Sequence, residues 1–184
     1  MPDLEWELIS SRYALQDQWI RVRADTYGMP DGEVIEPFYV LECPSWVNVV
    51  ALTPEGKVVL VRQYRPGSRT ITLELPGGAA NPDDPTPLHA IRRELREETG
   101  YGGGDFVELG ALWPNPASQN NAVHSFLATG VERIAATEPD DSEFLDVVQL
   151  PLDEVIALAR AGGLAHALHV AALFLALSRL DRSA

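Results

Sequence analysis

The stretch from Ile71 to Gly100 restricts this chain more than any other part of it. Ile71 to Leu75 reads as a short strand, and Pro76-Gly77-Gly78 ends it in a turn. After an irregular Asn, Pro and Asp segment, Thr86 is suited to cap a helix and Pro87 to open it. Leu88, Ile91 and Leu95 then recur at helical spacing until Gly100 stops the helix. On such a helix Glu94, Glu97 and Glu98 stand at i, i+3 and i+4, so three carboxylates converge on one face. Taken alone, that face fits a solvated acidic surface balanced by Arg93 and Arg96. Two features favour a site: the carboxylates lie opposite the apolar stripe, and a glycine turn precedes the helix directly after a strand. Hard divalent cations, magnesium above all, take one or two carboxylates together with water and phosphate oxygens.

The rest of the chain reads as alternating strands and helices. From Trp6 to Glu42 the pattern is strand-like, broken by Gly28-Met29-Pro30-Asp31-Gly32, and predicts an N-terminal antiparallel sheet. Cys43-Pro44-Ser45 marks a boundary, which gives regions 1–43 and 44–184. Trp46 to Leu52 and Lys57 to Gln63 flank Thr53-Pro54-Glu55-Gly56 as a hairpin. Strands are expected again around Phe106 to Leu112, Val123 to Ala128 and Phe144 to Leu150, then helices over Leu152 to Ala161 and Leu164 to Leu180.

Composition narrows the function. Fourteen Lys and Arg against 27 Asp and Glu leave a net charge of −13, a field that repels nucleic acid and anionic membranes. A small phosphorylated substrate remains open, because a pocket arginine and a bound cation reverse the sign locally. A single cysteine, Cys43, excludes an internal disulfide, and no secretory signal or span is legible, so the cytoplasm is the expected setting. The four histidines show no zinc spacing and read as packing or surface residues.

Arg93-Glu94-Leu95-Arg96-Glu97-Glu98-Thr99-Gly100-Tyr101 resembles, without a gap, the second half of the signature box of the Nudix hydrolases. The first half departs from the pattern. Counted back from Arg93, the glycine slot falls on Ala79 and the first glutamate slot on Pro85; one extra loop residue restores Gly78 and makes Asp84 the acidic stand-in. The resemblance implies an α/β/α sandwich with a mixed sheet, in which Glu94, Glu97, Glu98 and the backbone of Gly77 hold magnesium, with manganese as the alternative. A metal there lowers the pKa of water and neutralises diphosphate charge. Arg93 is then expected to orient the glutamates.

Beyond the box, Val61-Arg62-Gln63-Tyr64-Arg65, Leu73-Glu74-Leu75-Pro76-Gly77-Gly78 and Pro116 resemble the subgroup that hydrolyses ADP-ribose and nucleoside diphosphate sugars. Arg65, Arg62 and Glu74 are the substrate-binding candidates, Arg65 first, because a guanidinium grips phosphate oxygens in pairs. In that subgroup a late-loop glutamate often serves as base. Glu143 is favoured here, with an exposed acidic loop as the alternative. The N-terminal sheet of the subgroup commonly joins two subunits, so a homodimer is expected. The rival readings are a Nudix hydrolase of another nucleotide and a non-catalytic nucleotide sensor.

Overall fold

The computed structural model describes residues 4–138 and 144–180, which fall into two compact units. The first comprises residues up to Pro44 together with Trp113–Ala122. Three strands, β1 (Glu7–Gln16), β2 (Arg21–Gly28) and β3 (Val34–Glu42), form an antiparallel meander in that order. Trp6, Tyr27 and Phe38 meet edge to face with ring centroids 5.8–6.0 Å apart, the arrangement aromatic quadrupoles favour. Beside them Arg23 holds the fully buried Asp25 and also Glu42. The segment Trp113–Ala122 joins this unit through bonds from Leu41 N to the Ser118 carbonyl and from Cys43 N to the Asn120 side chain.

The second unit, Ser45–Leu112 and Val123 onward, is a mixed sheet covered on both faces. Its strands are β4 (Trp46–Leu52), β5 (Lys57–Arg65), β6 (Thr70–Glu74), β7 (Gly77–Ala79), β9 (Asp105–Leu112), β10 (Val123–Thr129) and β12 (Leu145–Pro151). The central order is β12-β5-β4-β10-β9, with β10 parallel to β4 and the other pairs antiparallel. Two short strands, β8 (Tyr101–Gly102) and β11 (Glu132–Arg133), pair apart from it. Alternation along β4 separates two cores. Val47, Val49 and Ala51 pack with Ile91 and Leu95 of α1 (Pro87–Thr99). Val50 and Leu52 pack on the other face with Val155 of α2 (Leu152–Arg160) and Leu173 of α3 (Ala167–Leu180). Full burial of Ile91 and Leu95 contributes about 1.5–3 kcal/mol each.

Helix α1 matches its expected limits: Thr86 accepts a bond from His89 N, Pro87 opens the helix and left-handed Gly100 closes it. Helix α3 starts at Ala167 rather than Leu164. His166 is the reason: its Nδ1 accepts from Leu168 N at 3.3 Å, and its carbonyl accepts from His169 N and Val170 N. The expected hairpin of β4 and β5 is paired only at its turn end, Ala51 with Val59 and Leu52 with Val58. Farther from the turn, β7 takes the edge of β4 and β6 takes the edge of β5. That parting of the two strands positions the site.

Candidate active site

Where β4 and β5 separate, a cavity of about 660 Å³ opens between them. The Gly77-Gly78 turn and Glu98 form one part of its wall, and His166 and His169 at the start of α3 another. The turn is tight against β4. A Cβ on Gly77 would lie 2.1 Å from the Val47 carbonyl oxygen, so no side chain fits there. At Gly78 the missing Cβ leaves room for the Glu94 carboxylate, which would stand 2.8 Å from it. Glu98, 2% exposed, accepts a 2.9 Å bond from Gly77 N through Oε2. Two glutamates a helical turn apart thus converge on one glycine turn.

Arg93 ties the rest of the carboxylate face together. Its Nη1 lies 3.0 Å from both Glu94 and Glu97, and its Nη2 lies 2.8 Å from Asp84. Asp84 also accepts from Asn81 N, which closes the loop before α1. The Arg93 hydrogen bonds hold the Asp84 carboxyl below its usual range. Among the described residues, no three His, Cys, Asp or Glu side chains are drawn around one point as a closed metal cage. The donor set nonetheless suits a hard cation: carboxylate oxygens on one helix face against a glycine cradle that a Cβ would fill.

The substrate candidates are divided by strand alternation. Gln63 and Arg65 face the cavity, whereas Arg62 pairs with Asp146, both side chains more than half exposed, and is not among the wall residues. Arg65 makes a two-pronged grip, Nε to Glu74 Oε1 at 2.9 Å and Nη2 to Oε2 at 2.7 Å. Burial opposes ionisation of Glu74, but the bonds from Arg65 and Thr72 outweigh it and hold its pKa at about 2. Glu143 lies outside the described residues. Glu138, the last described residue before it, donates its N–H to the Glu97 carbonyl at 2.7 Å.

The histidines were read from sequence as packing or surface residues, yet His166 and His169 line this cavity with rings stacked 4.2 Å apart. Only their i, i+3 spacing hinted at a pair. His169 Nδ1 accepts from Leu75 N, a contact across 94 positions that no local pattern reveals. Burial holds His169 neutral, with its pKa pushed down to about 3, and lowers that of His166 as well. Unfolded, His169 titrates near 6.5, so between there and about 3 the unfolded chain binds a proton that the folded one does not. Its contribution to stability is complete above that unfolded value and is lost as pH falls. Urea unfolding is expected to show a loss of about 2 kcal/mol from this residue between pH 6.5 and pH 5. His169→Asn, which retains an acceptor for Leu75 N, should flatten that slope; an unchanged slope would remove His169 as its source.

The NUDIX domain model matches residues 44–171, and the model of the nucleoside diphosphate sugar hydrolase N-terminal domain matches residues 6–41. With the first match spanning well over half of it, the chain belongs to the Nudix family and is a hydrolase. It is similar to the ADP-ribose pyrophosphatase of Bacillus subtilis, 29% identical over 163 residues that cover 88% of this chain and 86% of the relative. A GDP-mannose pyrophosphatase of Salmonella arizonae is 30% identical over 160 residues, 80% of this chain and 83% of the relative. The crystal structure of an ADP compounds hydrolase shares the fold, with a TM-score of 0.86, 98% of this chain and 97% of that chain covered, and 22% identity.

Proposed function

We propose that this chain hydrolyses the diphosphate link of ADP-ribose or a nucleoside diphosphate sugar, releasing a nucleoside monophosphate and a sugar phosphate. The observation that carries the reading is the convergence of Glu94 and Glu98 on the Gly77-Gly78 turn in the wall of the cavity. The names of the relatives support the substrate class, and the match over residues 6–41 supports the sugar subgroup.

Magnesium, or manganese, is the metal such carboxylates would hold, through Glu94, Glu97, Glu98 and the Gly77 backbone. It supplies charge neutralisation at the diphosphate oxygens and a more acidic water. Arg93 keeps Glu94 and Glu97 from repelling each other and sets their direction. Glu143 is the proposed base, with Glu97 itself the alternative. Arg65 and Glu74 act as a unit at the substrate side, and Arg62 acts only if its pair with Asp146 opens.

The N-terminal sheet is the proposed dimer interface. Every residue of β1 is exposed, and Trp6, Leu8, Ile9, Tyr13, Leu15 and Trp19 give the sheet a large apolar surface, the kind that monomers rarely leave uncovered. Among the described residues no helix is long and apolar enough to cross a membrane, and the cytoplasm is the proposed setting.

The test is phosphomonoester release from ADP-ribose and a panel of nucleotide sugars with magnesium, on protein whose size is read by sedimentation. Turnover of one panel member by a dimer is expected. Binding of ADP-ribose without turnover would instead support the sensor reading.

A further inference from the structure

The stacked histidines have no part in the carboxylate chemistry, yet their geometry is specific. Each Nδ1 accepts a backbone N–H, from Leu75 in one case and Leu168 in the other. A ring nitrogen that accepts cannot carry the proton of a neutral imidazole, so both rings hold it on Nε2. The stacked rings, 15° from parallel with centroids 4.2 Å apart, thus each keep one Nε2–H donor. Among the described residues neither Nε2 has a hydrogen-bond partner, and both rings line the cavity.

The surroundings select the ligand. The adjacent charges are already balanced: Glu74 is gripped by Arg65 and Thr72, and its Oε2 stays 3.9 Å from His169 Nδ1. The cavity wall also carries neutral carboxamides, those of Asn48 and Gln63. Asn48 is 2% exposed, and its Oδ1 has no partner among the described residues. Neutral donors beside neutral amides suit hydroxyl and ring oxygens, which carry no charge to be matched. A phosphate would instead call for a cation held by the glutamates.

We propose that His166 and His169 form a paired-imidazole subsite that reads the sugar half of the substrate through two Nε2–H donors. This rests on the diphosphate-sugar reading above and adds the residues that set its specificity. Asparagine at position 166 keeps a good cap for α3 while deleting Nε2–H, whereas glutamine carries a donor close to the Nε2 position.

The experiment pairs kinetics with spectroscopy on the full-length protein. His166→Asn should lower the ratio of kcat/KM for ADP-ribose over kcat/KM for the methyl diester analogue of ADP, which lacks the sugar, by about tenfold, the equivalent of one lost hydrogen bond. The change should lie in KM rather than kcat, and His166→Gln should recover part of it. In imidazole nitrogen NMR spectra at pH 7 both rings should show the Nε2–H tautomer, and ribose 5-phosphate should shift their Nε2 signals. An unchanged ratio, or Nδ1–H tautomers, would overturn the proposal. So would shifts caused by adenosine monophosphate but not by ribose 5-phosphate, which would assign the pair to the base. Should the wild-type protein turn over no diphosphate at all, the catalytic reading fails by itself, and the response to ribose 5-phosphate still decides the subsite: a shift supports it and none overturns it.

Discussion

Glu98→Gln is expected to lower kcat about a thousandfold while leaving the fold intact, because several kcal/mol of transition-state charge stabilisation would pass through this carboxylate and its metal. Glutamine keeps an acceptor for Gly77 N, so the 2.9 Å contact that seats the turn survives. What the substitution removes is the negative charge. Turnover on the preferred nucleotide sugar, beside a thermal melt within a few degrees of wild type, checks both halves. A variant that melts normally and retains more than about a tenth of its activity would remove Glu98 from the metal set.

Arg65→Met has the second largest expected effect, and it falls on stability. Glu74 is 1% exposed, and the grip of Arg65 is the main reason it stays ionised inside the protein. Breaking a buried pair by removing one partner costs about 3–5 kcal/mol, and because the Arg65 side chain is 45% exposed the lower end, about 3 kcal/mol, applies. The cost comes from a stranded charge, so adding Glu74→Gln to Arg65→Met should recover more than half of it. Denaturant titration of both variants at pH 7 decides. A single-variant loss below about 1 kcal/mol would show that water reaches Glu74 once the arginine is gone.

The two results bear on how the cavity is built. In sequence, Arg65 reads as a phosphate ligand, because a guanidinium grips phosphate oxygens in pairs. In the fold its two-pronged grip is on a carboxylate nine residues away, brought beside it by the antiparallel register of Arg65 with Thr70 and Val61 with Glu74. A phosphate contact from Arg65 therefore has to share the guanidinium with Glu74.

Much of the architecture was legible from local patterns. Helix α1 could be delimited to the residue, since Thr86, Pro87 and Gly100 act through their own backbone conformations and need no distant partner. The acidic face of that helix was equally legible, because positions three and four apart meet on any helix. The longer strands of the second unit followed from runs of apolar residues, with limits off by a residue or two, whereas β7, read as part of a turn, and the short β8 and β11 did not. The start of α3 was missed because His166, a residue with little capping preference, closes that end with its own Nδ1 and carbonyl. Nor was the company of Trp113–Ala122 visible. This stretch joins the N-terminal unit through hydrogen bonds to Leu41 and Cys43, far away in sequence.

By itself, then, the sequence determined the family, the box helix and the convergence of three carboxylates, all properties of contacts within a helical turn. Tertiary structure decided where those carboxylates point, what occupies Arg65, and that His166 and His169 face the same cavity as Glu98. The physical reason is the parting of β4 from β5. Neither strand records in its own residues that its outer edge is taken by β7 or β6. Edge choice is a competition among strands for the same backbone donors and acceptors, and only the folded chain settles it.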